Sequence, residues 1–184
     1  MTKTYLSPDE LAGAFPASLR QDAVTACATF PAVRVLGKRF SARVDDEILF
    51  IPRRLHFDPT LIHFDILTPP QREIVDCLLT RYTDGFVREL HLTRIIGLNR
   101  PWIPAFVIQL AGEYVVEILN VIYNSLPALD TPIYREFLHN NPTFLGLTGQ
   151  RIASYWDCYY RGHRQQEYVG FKILEFFRSL QRSA

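Results

Sequence analysis

A chain of 184 residues, 48% apolar and 21% charged, is long enough to bury a core without disulfides or a structural metal. Its net charge of +1 gives no electrostatic case for a polyanionic partner, so nucleic acid is not expected. The three cysteines, Cys27, Cys77 and Cys158, are widely spaced, which fits reduced thiols in a cytoplasmic protein better than a disulfide frame.

The opening MTKTYLSPDE has no apolar h-region, so no secretory leader is expected. Within it, SPDE predicts a helix start: Ser7 as cap, Pro8 in the first turn, Glu10 closing a capping box. A second helix is expected from Pro16 to Ala28. RFSARVDDEILFIP then reads as a hairpin. Phe40, Ala42 and Val44 alternate with polar residues, Asp45-Asp46 supply the turn, Ile48 to Ile51 return, and Pro52 ends the ladder.

The stretch RRLHFDPTLIHFD is expected to be extended or irregular, pinned to the helices by Phe57, Leu61, Ile62 and Phe64. It repeats His-Phe-Asp at His56 to Asp58 and His63 to Asp65. That pairing supplies metal-ligand types at a spacing no established site uses, so no metal is expected.

From Thr68 the pattern turns helical. TPPQ is a second capping box, with Thr68 and Gln71, and Ile74, Val75, Leu78 and Leu79 form an apolar face. Asp84 caps a further helix whose apolar residues are Val87, Leu90, Ile95 and Ile96, with Gly97 as the stop. One long helix is predicted from Trp102 to Leu126, ended by Pro127. Its apolar run could be read as a membrane span, but Glu113 and Glu117 lie near the middle, each costing roughly 2.5–3.5 kcal/mol there. Thr131-Pro132 starts another helix and Asn141-Pro142 stops it. A helix from Thr148 to Arg161, with Gly162 at its end, and a final one from Tyr168 to Gln181 complete the chain.

On a continuous Trp102–Leu126 helix, Gln109, Glu113, Glu117, Asn120 and Asn124 fall within about 80° of one another, a narrow polar stripe on an otherwise apolar surface. Such a stripe is a solvated edge, a buried network with arginines such as Arg81, Arg88 or Arg94, or an acidic binding surface. As a catalytic pair Glu113 and Glu117 carry little, because glutamates at i and i+4 are common without that role.

The densest segment is SYWDCYYRGHR. At helical spacing Ile152, Tyr155, Trp156 and Tyr159 share one face, opposite Gln150, Ser154, Asp157 and Arg161, and the leading expectation is an aromatic seam buried against a neighbouring helix. The sharper alternative makes Tyr160, Arg161, His163 and Arg164 a recognition surface, since Tyr, Trp and Arg dominate interface hot spots. Cys158 has no base on its own helical face and is not expected to be a nucleophile. G-x-S-x-G, H-E-x-x-H, P-loop, G-x-G-x-x-G and C-x-x-C signatures are absent.

The strings LLTRYTDGFVRE, PWIPAFVIQLAGEYVVEIL and LTGQRIASYWDCYYR resemble a group of small bacterial helical proteins of HEAT-like character, over Ile48 to Arg161. The resemblance implies a helical fold and carries over no activity and no residue roles. Small bacterial proteins of this kind are often interaction proteins, immunity proteins among them.

The expectation is therefore a mainly α single domain, 1–184. An N-terminal subregion, 1–67, would hold two helices and the β-hairpin; 68–184 would be stacked antiparallel helical hairpins, HEAT-like. The expected function is non-enzymatic protein binding, in its most concrete form an immunity protein or antitoxin occluding a toxin. Gln109, Glu113, Glu117, Asn120, Asn124, Tyr160, Arg161, His163 and Arg164 are the candidate contact residues; no catalytic residue and no cofactor are assigned, and no membrane partner is expected. The alternatives are an enzyme with a dispersed, metal-assisted site using Glu113, Glu117 and a histidine, and a structural subunit that forms homo-oligomers.

Overall fold

The computed structural model of the protein describes residues 4–162 and 164–183. The chain is mainly helical, with small antiparallel sheets near the N-terminus. It divides into two compact units, 1–91 and 92–184.

In the first unit, β1 (Thr4–Leu6) leads into α1 (Pro8–Ala12), which begins at the expected capping box: Ser7 Oγ accepts from the Glu10 amide and Glu10 accepts from the Ser7 amide at 2.9 Å. A 3-10 turn at Ala17–Leu19 precedes α2 (Arg20–Cys27). Strands β2 (Val33–Leu36), β3 (Phe40–Val44), β4 (Glu47–Ile51) and β5 (Arg54–His56) follow. β1, β2 and β5 form one antiparallel sheet in the order β1-β2-β5, and β3 and β4 form the hairpin that the alternation predicts. Ala42 lies opposite Leu49 and both are buried, while Ile48 and Phe50 point outward. Asp45 turns the hairpin with φ 50°, a left-handed backbone that Asp tolerates better than most residues.

The stretch after β4 is partly strand. Leu55 extends the first sheet onto the chain after the next helix, its amide donating to Arg81 O at 2.8 Å and its carbonyl accepting from Thr83 N at 3.0 Å. Two 3-10 turns follow, Pro59–Leu61 and Phe64–Ile66. Phe57 and Ile62 are buried as expected; Phe64 is half-buried and Leu61 is exposed, so the apolar anchor of this loop is smaller than its composition implies.

α3 (Pro69–Leu79) opens with Gln71 accepting from the Thr68 amide and buries Ile74, Val75, Leu78 and Leu79. α4 (Gly85–Ile95) departs from its predicted face. Asp84 does cap it, accepting from Phe86 N at 2.7 Å. Leu90, however, is exposed and Val87 half-buried, while Arg88 and His91 point inward with Leu92 and Ile95. The Arg88 guanidinium is held by two main-chain carbonyls, Tyr82 O at 3.0 Å and Thr83 O at 2.7 Å. A charged side chain on the buried face that donates to backbone acceptors is invisible to a hydrophobicity pattern.

The second unit corrects the longest helix expected. Trp102–Leu126 is two helices, α5 (Ile103–Ala111) and α6 (Val116–Ser125), separated at Gly112–Val115. Gly112 ends α5 with ψ 33°. A Cβ there would lie 3.3 Å from Arg151 Cβ and 3.4 Å from Thr148 Cγ2, so the bare backbone is what lets a neighbouring helix approach so closely. α5 is buried on all sides. A 3-10 turn, Leu126–Leu129, and α7 (Pro132–Asn140) follow.

α8 (Pro142–Tyr155) begins six residues before the predicted start, because Pro142 occupies its first turn rather than merely closing α7. It continues into a π-helical turn, Trp156–Tyr160. α9 (Val169–Arg182) buries Gly170, Ile173, Leu174, Phe177 and Leu180 and packs against α5, α6, α7 and α8. Among the described residues no helix is long and apolar enough to cross a membrane.

Candidate interaction surface

The π turn decides where the aromatic segment goes. An i→i+5 turn inserts extra chain relative to 3.6-residue spacing and rotates every following side chain. The predicted seam of Ile152, Tyr155, Trp156 and Tyr159 is therefore split. Ile152 is fully buried, Tyr155 and Trp156 are half-buried, and Tyr159 is 67% exposed. The expected buried seam is corrected to a two-sided arrangement.

On the inner side, Trp156 meets Phe171 edge-on at 6.0 Å, and Tyr160 stacks on Tyr168 at 4.8 Å. On the outer side, Tyr155 and Tyr159 join Tyr114, which the break between α5 and α6 brings to the surface. The three ring centroids lie 5.6, 5.9 and 6.2 Å apart. Tyr114 is 49% exposed. Tyr160 ties the two segments together, its hydroxyl donating to Tyr114 O at 3.0 Å.

Tyrosine ionisation reflects this setting. Burial, then the neighbouring Glu117 carboxylate, holds the Tyr160 phenol above its ordinary range. Burial, then Tyr160, pushes Tyr168 up to about 12. Both phenols are neutral at physiological pH. At the rim of the patch, Asp157 and Arg161 form a forked ion pair with contacts of 2.9 and 3.1 Å, one helical turn apart and open to solvent.

The polar stripe does not survive as a single surface. Gln109 and Glu113 are buried, and Gln109 accepts from Arg151 Nη1 at 2.9 Å. Glu117, Asn120 and Asn124 are exposed on α6. Breaking the helix at Gly112 puts the first two and the last three in different environments. Of the other candidate residues, Tyr160 is half-buried, Arg161 and Arg164 are exposed, and His163 lies outside the described residues.

Sequence reasoning missed Tyr114, which no local pattern links to residues some forty positions later. It also missed the pair in the first unit between His91 Nδ1 and Asp76 Oδ1, 2.5 Å apart, with the Phe64 ring stacked on the imidazole. That pair is nearly sealed from solvent, His91 being 6% exposed, so it braces α3 against α4 and offers no surface to a substrate. Burial pushes the Cys27 thiol up to about 12, and burial, then the neighbouring Asp76 and Glu73 carboxylates, raises the Cys77 thiol well above its ordinary range, which disfavours either thiolate. Cys158 is exposed on the π turn. Among the described residues no three His, Cys, Asp or Glu side chains gather where a metal ion could sit.

The outward side of the turn is thus a cluster of three packed rings with an exposed ion pair on the same turn. No family model, curated protein or solved structure matches the chain.

Proposed function

We propose that this chain is a non-enzymatic protein-binding module whose contact surface is centred on Tyr114, Tyr155 and Tyr159. The observation that carries the reading is the outward cluster of three mutually packed tyrosines, two of them about half exposed or more. Tyr offers a large, rigid, amphipathic contact at low entropy cost and is enriched in hot spots, and the charged rim of Asp157 and Arg161 suits the edge of an interface. π turns within helices occur frequently at functional sites.

The most specific form of the proposal is an immunity protein or antitoxin whose partner is a toxin. That form rests on the resemblance given above, and co-expression with a candidate toxin tests it. Action in the cytoplasm is part of the proposal and accords with three free cysteines. HEAT-like stacking is proposed for the consecutive pairs α5–α6, α7–α8 and α8–α9, each of which packs together; the contacts of α9 with α5, α6 and α7 depart from strict neighbour-to-neighbour stacking.

The test is affinity capture from the native host with the unaltered chain and with Tyr114→Ser/Tyr159→Ser. Both positions are exposed, so the variant should melt with the parent. Loss of a specific captured protein with an unchanged melt supports the reading; identical capture by both chains refutes it.

A further inference from the structure

We propose that a groove along α9 binds an acidic, apolar-containing peptide segment of the partner protein. This rests on the chain being a protein-binding module and names the chemistry of what it binds.

The groove has a volume of about 400 Å³. Its floor is the half-buried Phe171 and the buried Leu174, and its walls carry three cations, Lys172, Arg178 and Arg182, against one carboxylate, Glu175. Phe171, Glu175, Arg178 and Arg182 stand at i, i+4, i+7 and i+11 on one side of the helix, a row about 16 Å long in which the two arginines outweigh the one carboxylate and which matches about five residues of extended chain. Lys172 is already engaged, its Nζ 5.6 Å above the Tyr123 ring. Arg178 and Arg182 are exposed, and among the described residues neither closes an ion pair.

Favourable interaction with the helix C-terminus accounts for Arg182, which lies in the last turn. It does not account for Arg178 a turn earlier, nor for an apolar floor beside them. Two guanidinium forks one turn apart suit carboxylates, which they can grip through paired hydrogen bonds. The floor suits an aromatic or aliphatic side chain. A free inorganic anion would leave that floor unused, and a nucleic acid would meet too little positive surface on a chain of net charge +1. Phe171 also packs edge-on against Trp156, on the inner side of the π turn.

The test uses the full chain and fluorescence anisotropy with a labelled peptide of alternating glutamate and phenylalanine. Two controls replace Glu by Lys or Phe by Ser. The Glu-Phe peptide should bind, the Lys peptide should not, and the Ser peptide should bind more weakly. Arg178→Gln/Arg182→Gln should weaken binding about tenfold or more, with an unchanged melting temperature, and added salt should weaken binding to the parent. Absence of binding by the Glu-Phe peptide, equal binding of the Lys peptide, or full affinity in the double variant would overturn the proposal. The host-partner capture separates the two claims: a partner lost in Tyr114→Ser/Tyr159→Ser but retained in the arginine variant removes the acidic-segment inference and leaves the binding module standing.

Discussion

Tyr160 donates its hydroxyl to the main-chain carbonyl of Tyr114 at 3.0 Å, so the π turn after α8 holds the break between α5 and α6. Two irregular segments, each unfavourable alone, fix one another and set the three outward rings. Tyr160→Phe keeps the stack on Tyr168 and removes only this bond. The expected cost is about 0.5–1.5 kcal/mol, read by denaturant unfolding. Weaker partner capture should accompany it, because Tyr114 loses its tether.

Gly170 makes the inner side of the aromatic arrangement possible. A Cβ at this position would lie 2.6 Å from Tyr168 Cε1 and 3.0 Å from Ile152 Cγ2. Its neighbours are a buried ring and a buried branched side chain, neither free to withdraw. Gly170→Ala should therefore destabilise the fold by about 1–3 kcal/mol despite the better helix propensity of alanine. A thermal melt equal to or above that of the parent would show that the ring can shift at little cost.

The two glutamates should behave differently. Glu113 is 2% exposed and Glu117 lies open on α6. Glu113→Gln alters a carboxylate held within the core and should cost about 1–3 kcal/mol. Glu117→Gln should stay within about 0.5 kcal/mol of the parent. Single-site melts decide it, and equal effects would contradict the different environments of the two carboxylates.

Stability should fall in alkali. Tyr168 is held protonated in the fold up to about pH 12, whereas an unfolded tyrosine ionises near 10. Between those values the unfolded chain has lost a proton that the folded chain retains. The stabilisation is therefore intact below about pH 10 and is lost as the pH rises toward 12. Cys27, raised from 9.0 to about 12, acts in the same direction from a lower pH. Tyr168→Phe should flatten the upper part of the stability-versus-pH curve and leave the cysteine part in place.

Local chemistry made much of the fold legible. The Ser7–Glu10 capping box, the Asp45-Asp46 turn and the buried face of α3 all follow from residues a few positions apart. What was not legible depends on contacts between distant segments. The apolar periodicity runs straight through Gly112, and the close approach of Arg151 and Thr148 at the break comes from a segment some forty residues away. The aromatic face was assigned at 100° per residue, and one π turn was enough to send Tyr159 into solvent. Arg88 hid on a buried face where it donates to two main-chain carbonyls, which carry no sequence signal.

The central claim is that the Tyr114–Tyr155–Tyr159 face meets another protein. Its most direct test is site-specific photocrosslinking in the native host, with a benzophenone side chain at position 159 in one chain and at position 86 in another. Phe86 is the more exposed of the two, at 79% against 67%, but belongs to no ring cluster among the described residues, so it controls for exposure alone. The account predicts one discrete crosslinked protein from position 159 and none from position 86. No adduct from position 159, or the same adducts from both positions, would contradict it.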